Sequence, residues 1–181
     1  MSEAQHLAPK TSVERLVKLS RRDLQELCDA ADDGIRAGGG FGWLKPPERP
    51  VMENYWKGVL LVPERSVVIG RLDGVIAGSA QLVRPWRNNE AQAHSAQMTT
   101  NFVASWARGH GLARMIALAV EEAARAHGLS VLSLDVRETQ AAAVQLYQSL
   151  GYVQYGTYPR YARVDGKWVA GLFFWKDLAA A

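Results

Sequence analysis

The chain has 181 residues, 48% of them hydrophobic and 22% charged, and a formal net charge of +3. That length supports one domain with a proper core and is marginal for two, and the balance is that of a globular chain, which excludes extended disorder. A single cysteine, Cys28, excludes an internal disulfide and a cysteine-built metal site, while the scattered positive residues exclude a nucleic-acid footprint and suit a small polyanionic ligand.

Residues 1–10 are expected to be disordered, and residues 11–178 to form one domain. The opening stretch has no apolar run of the secretory kind, and nowhere do about 18 apolar residues follow one another, so a cytoplasmic location without a membrane partner is expected. A short strand is expected over 13–19 and a helix over 22–36, where Leu24, Leu27, Cys28 and Ala31 recur at spacings of three and four. The run Gly38-Gly39-Gly40-Phe41-Gly42-Trp43, closed by Pro46-Pro47, is too rich in glycine for regular structure. A second helix over 51–61 carries Tyr55 and Trp56. Two strands, 66–72 and 75–83, meet at the turn dipeptide Asp73-Gly74. After a loop over 85–89 comes a strand over 93–103.

Residues 109–126 predict a long helix, with Leu112, Ile116, Ala119, Val120 and Ala123 on one face and Glu121 four residues before Arg125 on another. A strand over 131–136, a helix over 139–150 and two strands over 152–163 and 167–176 complete the chain. The order is strand, two helices, a meander of strands, helix, strand, helix, two strands, which is a mixed α/β layer around one sheet.

The segment Arg108-Gly109-His110-Gly111-Leu112-Ala113 ends a strand and opens the long helix. The first amides of a helix have no internal partner, and the helix dipole adds partial positive charge at that end. Glycines at 109 and 111 let a pyrophosphate approach the backbone, and Arg108 and Arg114 add mobile charge. The same pattern is open to a plain strand-to-helix turn and to a Rossmann dinucleotide site. For the latter, Asp135 ends the next strand 24 residues after Gly111. Against it, Arg114 occupies the place of the third fingerprint glycine, and the motif begins past the midpoint of the chain.

The run Val103-x4-Arg108-Gly109-x-Gly111-Leu112-Ala113 resembles the acetyl-CoA motif of the GNAT acetyltransferases, Q/R-x-x-G-x-G/A. Downstream, Leu134-x-Val136, Ala143, Leu146-Tyr147 and Gly151-Tyr152 are similar to that family's L-x-V-x3-N-x2-A-x2-L-Y-x3-G-F/Y. The resemblance implies a mixed, mostly antiparallel sheet of about seven strands flanked by about four helices. It implies acetyl-CoA as cofactor and direct transfer of an acetyl group to a primary amine of a small molecule or peptide. The backbone of Asn101, Phe102 and Val103 would pair with the pantetheine arm. Residues Arg108, Gly109, His110, Gly111, Leu112, Ala113 and Arg114 would hold the pyrophosphate, and Tyr147 would stand near the thioester sulfur. Gln140 replaces the family's asparagine, which bears on a pantetheine contact. The stretch Gly156-x-Tyr158-Pro159-x-Tyr161 to Phe174-x-Lys176 is loosely similar to the tabtoxin-resistance branch.

Amine acetylation needs a neutral amine, a stabilised oxyanion and a protonated leaving thiolate. A backbone N–H near Phe102 would serve the oxyanion. Tyr147 would serve the thiolate as general acid, although its helical spacing alone reads as core. The place of the related enzymes' base falls on Gln97, which takes no proton, leaving Asp135 and His94 as the ranked candidates ahead of Glu90. For the acceptor, the aromatics Phe41 and Trp43, the pair Tyr55-Trp56 and the stretch from Tyr158 to Tyr161 are expected to line the site, with core packing as the plain alternative. A homodimer stays open as an assembly. So does a second class of function, a non-catalytic acyl-CoA-binding module, which Gln97 and Gln140 favour.

Overall fold

A computed structural model describes residues 8–39 and 41–179. The glycine-rich loop is therefore described except for Gly40, and seven of the ten N-terminal residues expected to be disordered lie outside the described residues.

The chain begins with strand β1 (Thr11–Leu16) and helix α1 (Arg21–Arg36). Ser20 caps α1, its Oγ accepting from the Asp23 amide at 3.0 Å, and Asp23 places an acid in the first turn where the helix dipole favours it. Leu27, Cys28, Ala31 and Ile35 form the buried stripe. Burial lifts the Cys28 thiol to about 11, so Cys28 is an unreactive small core residue. Helix α2 (Arg49–Leu61) carries Pro50 in its first turn, where a missing amide costs nothing, and buries Met52, Trp56 and Val59.

Strands β2 (Arg65–Leu72) and β3 (Val75–Val83) form the hairpin around Asp73-Gly74. Both are buried on both faces, which is why they read as near-continuous apolar runs. Then follow β4 (Ser95–Val103), α3 (Leu112–Ala126), β5 (Val131–Arg137), α4 (Ala141–Ser149), β6 (Val153–Val164) and β7 (Lys167–Asp177).

The seven strands form one sheet in the order β1-β2-β3-β4-β5-β7-β6. Every neighbouring pair is antiparallel except β4 and β5. That topology excludes the Rossmann reading, which requires a run of parallel strands. The parallel pair is short. Ser95, Ala96 and Gln97 pair with Val131, Leu132 and Ser133, and the two strands then part. Where they part, β4 carries a bulge: its register against β3 shifts between Ser79 and Gln81, opposite Thr100, a β-branched residue at φ +53°.

Each face of the sheet has its own core. On one, Leu27, Ile35, Trp56, Ile69, Ile76 and Phe102 pack α1 and α2. On the other, Leu112, Ile116, Val120, Leu132, Tyr147 and Phe174 pack α3 and α4. Glu121 of α3 is fully buried in the second core, with Lys176 Nζ of β7 at 2.8 Å from both of its carboxylate oxygens and 5.5 Å from the centre of the Tyr152 ring. Among the described residues, no helix is long and apolar enough to cross a membrane.

A buried carboxylate stripped of its partner is worse than no charge at all. Lys176→Met is expected to cost roughly 3 kcal/mol, the low end for such pairs because Arg125 Nη2 still lies 3.5 Å from Glu121. The double variant Glu121→Leu/Lys176→Met should recover most of that loss. Urea unfolding of the two variants checks the pair.

Candidate active site

The parting of β4 and β5 opens a cleft of about 410 Å³. Its walls are Met98 to Asn101 of β4, Asp135 to Arg137 of β5, Gln140 and Tyr147 at α4, Tyr161 to Arg163 of β6, and Phe41, Gly42 and Leu44 of the glycine-rich loop. The sequence places these groups far apart. The short parallel pairing brings them together, because only past Gln97 does the β4 edge lack a strand neighbour.

Tyr147 stands on the inner face of α4, buried, with its ring 5.7 Å from that of Tyr152. Asn101 Nδ2 donates to its hydroxyl at 3.0 Å. The phenol oxygen is thus an acceptor in this bond, and its own proton is free for a group in the cleft. Burial, reinforced by the charge of Asp135 and opposed by the Asn101 hydrogen bond, pushes the Tyr147 phenol up to about 12. Asn101 Oδ1 is buried, with no hydrogen-bond partner among the described residues.

Asp135 faces the same cleft. Gln97 Nε2 donates to Oδ1 at 2.9 Å, and the Tyr161 hydroxyl donates to Oδ2. Gln97, which cannot itself take a proton, braces the carboxylate beside it. His94 is not brought here. It precedes β4 at the closed end of the strand pair, is exposed, and uses its carbonyl to accept from the amides of Ser130 and Val131. Glu90 lies in an exposed 3-10 turn, Glu90–Gln92, before His94.

Of the aromatics expected on the acceptor side, Phe41 lines the cleft but is itself buried, its ring 4.8 Å from Phe102 and 6.1 Å from Trp43. Trp43 stands behind Phe41 with its ring 5.1 Å from Tyr55, so it supports the wall rather than forming it. Tyr158 points away and is 55% exposed, and Tyr161, three residues on, takes the inward place. Tyr55 joins a buried polar chain. Arg65 Nη1 donates to Gln81 Oε1 at 2.6 Å, Gln81 Nε2 donates to the Tyr55 hydroxyl at 2.8 Å, and Thr100 Oγ1 lies 3.5 Å beyond.

The loop that holds Phe41 is tied down by residues that sequence reasoning missed or read differently. Arg137 Nη2 donates to the carbonyls of Gly39 and Phe41, each at 3.3 Å. Gln140, expected against pantetheine, spends its side-chain amide on the Gly38 carbonyl at 2.9 Å. Arg137 ends a strand beside a motif position, between Val136 and Glu138, and no feature of its sequence neighbourhood marked this role.

The expected anion cradle lies just beyond the open end of β4. Helix α3 begins at Leu112 rather than at Gly109, because Gly109 and Gly111 are left-handed, at φ +84° and +74°. Among the described residues, the amides of 109–114 donate to no acceptor, and Met115 is the first to bond back, to the Gly111 carbonyl at 3.1 Å. A Cβ at either glycine would meet nothing within 4 Å, so the backbone faces open space. Arg108 and His110 are exposed, whereas Leu112 anchors the helix in the core and contributes only its amide. Arg114 Nη1 reaches Ser149 Oγ at 3.1 Å, linking the cradle to the last turn of α4. The geometry fits a polyanion held by backbone amides.

The acetyltransferase (GNAT) family model matches residues 24–152. A relative from Azospirillum brasilense, described as an uncharacterized N-acetyltransferase in the hisH–hisA intergenic region, is 69% identical over 129 residues, 71% of this chain and 77% of the relative. Among solved structures, an N-acetyltransferase from Staphylococcus aureus superposes with a TM-score of 0.79 at 18% identity, over 93% of this chain and 99% of its own. A proposed acetyltransferase from Salmonella typhimurium, solved with its cofactor acetyl-CoA, superposes with a TM-score of 0.76 at 17% identity, over 94% and 95% of the two chains. At such identities the two structures speak to the fold.

The raised phenol of Tyr147 has a stability consequence. A group protonated more tightly in the folded state contributes stability that is fully present below its unfolded value, near 10, and is lost as pH rises through about 12. Urea midpoints should therefore fall over that window, and Tyr147→Phe should flatten the fall.

Proposed function

The chain belongs to the GNAT acetyltransferase family, whose cofactor is acetyl-CoA, and from that premise we propose that it acetylates a primary amine of a small molecule or peptide by direct transfer in the cleft between β4 and β5. The observation that carries this reading is the row of unpartnered amides from Gly109 to Arg114 beside an open strand edge. Those amides, with Arg108 and Arg114, would hold the pyrophosphate, and the free edge of β4 over Asn101 to Val103 would take the pantetheine arm as an added strand. When bound, acetyl-CoA supplies a thioester whose carbonyl carbon takes the amine nitrogen while the carbon–sulfur bond breaks and coenzyme A leaves.

The protein's own groups handle the protons. Asp135 takes up the proton that the nitrogen sheds as its new bond forms. Tyr147 directs its hydroxyl proton at the departing sulfur. A phenol near 12 facing a thiol near 8.5 would transfer its proton uphill by roughly 5 kcal/mol, so Tyr147 acts mainly by holding a hydrogen bond to the developing thiolate. Such a bond to a charged group is worth about 1.5–3 kcal/mol, or roughly 10–100-fold in rate. The loop carbonyls tied at Gly38, Gly39 and Phe41 fix a wall on the acceptor side, and Phe41 keeps water from it.

Gly111→Asp should reduce acetyl-CoA affinity by at least about 100-fold in calorimetric titration, because it sets a carboxylate against phosphate. The fold should survive, since aspartate tolerates left-handed backbone and its Cβ meets open space. Unchanged affinity would remove residues 108–114 from the site. Tyr147→Phe should lower kcat about 10–100-fold with little change in the KM for acetyl-CoA, measured by thiol release over a panel of amines, amino acids and aminoglycosides. An unaltered rate would make Tyr147 a core residue alone.

A further inference from the structure

Three features of the C-terminal hairpin converge on one side chain. First, β6 is bulged. Tyr158 pairs with Gly171 and Ala162 with Val169, so Pro159, Arg160 and Tyr161 together face the single residue Ala170. Extra residues of this kind re-aim a side chain, and here they set Tyr161 over Gly171, where regular pairing from Tyr158 would have put it opposite Trp168. Second, Gly171 leaves the room that Tyr161 needs. A Cβ at Gly171 would overlap the Tyr161 ring, at Cβ, Cγ and Cδ2 alike. Third, the Tyr161 hydroxyl donates to Asp135 Oδ2, while its ring lies edge-on to Phe173, 5.9 Å away. None of these three follows from the others.

We infer that Tyr161 is the positioning residue of the acceptor site, seated by the β6 bulge and by Gly171 so that its phenol orients the Asp135 carboxylate. This rests on the reading of Asp135 as proton acceptor for the amine. A carboxylate offers about four lone-pair directions. Gln97 occupies one on Oδ1 and Tyr161 one on Oδ2, which fixes the plane of the group and leaves one direction on each oxygen for an ammonium or amine in the cleft. The surrounding groups do not replace the Tyr161 donor. On β5 there is Arg137, committed to the loop carbonyls; on β6, Arg163, whose guanidinium lies by Trp168 and Gly166; on α4, buried Tyr147. From β4 the neighbour is neutral Gln97, and from β7 it is Phe173, paired with Asp135. Burial and the bond to Asp135 raise the Tyr161 phenol to about 12, so it remains a donor throughout the physiological range.

The test reads the free protein. Asp135 is read through its side-chain carbon resonance in aspartate-labelled protein at neutral pH, the resonance being assigned by its loss in Asp135→Asn. In Tyr161→Phe that resonance should shift, because the carboxylate loses its donor on Oδ2. Gly171→Ala should reproduce the shift, because it unseats the ring while leaving the phenol in the chain. In the double variant Tyr161→Phe/Gly171→Ala the two effects should not add. A resonance unmoved by Tyr161→Phe overturns the inference, and one unmoved by Gly171→Ala overturns the seating argument. Thiol release by Asp135→Asn, measured with acetyl-CoA over the same amine panel, separates the two readings. Full turnover there would sink Asp135 as proton acceptor, whereas lost turnover with a resonance unmoved by Tyr161→Phe would sink only the role of Tyr161.

Discussion

Two parallel strands that pair over three residues and then diverge are the constraint from which the rest of this molecule follows. Parallel neighbours need a crossover, and α3 is that crossover, so its N-terminus must lie just past the end of β4. The same divergence leaves the β4 edge without a partner from Met98 onward. An unpaired edge in the middle of a sheet is otherwise an unsatisfied row of donors and acceptors. One element therefore creates both halves of the cofactor reading, an open strand edge and an exposed helix start. The left-handed Thr100 sits where the strands part, and the polar chain from Arg65 through Gln81 to Tyr55 backs it from the other face of the sheet.

A sheet split in this way needs clamps on its far side. β7 supplies them by pairing along the whole of β5, from Val131 to Arg137. Lys176, on that strand, reaches into the α3–α4 core to meet Glu121. The crossover helix is thus bound to the half of the sheet it leads into as well as to the half it leaves. Arg114 adds a tie between the start of α3 and the end of α4. These contacts hold the cleft open at one end while the Ser95–Gln97 pairing keeps it shut at the other.

Much of this was legible in the sequence, because the elements on which it depends are strongly patterned. The amphipathic stripe of α3 and the Asp73-Gly74 turn carry local signals, and the two glycines marked the exposed start of α3. The same glycines also moved the start of α3 to Leu112, since left-handed residues cannot extend a helix. What stayed hidden depends on register. Simple alternation along β6 puts Tyr158 and Tyr161 on opposite faces without saying which meets the cleft, and the bulge then seats Tyr161 over Gly171. Pro159 was the available hint, because proline inside a strand marks an edge or a bulge. His94 was misjudged for a related reason: a strand expected from residue 93 begins at Ser95, which leaves that side chain outside, at the closed end.

Gln140 shows how a departure from a family pattern can be absorbed by another part of the chain. At the wall of the cleft, its side-chain amide reaches the carbonyl of Gly38. Arg137, three residues earlier, holds the next carbonyls of the same loop. Together they convert a glycine-rich segment, which by composition would serve as a mobile lid, into a pinned wall whose Phe41 ring is locked between Phe102 and Trp43. A loop fixed at Gly38, Gly39 and Phe41 has little conformational entropy left to lose when a ligand arrives. On the proposed function, an acceptor would meet a surface already shaped by β5 and α4, the same elements that carry Asp135 and Tyr147.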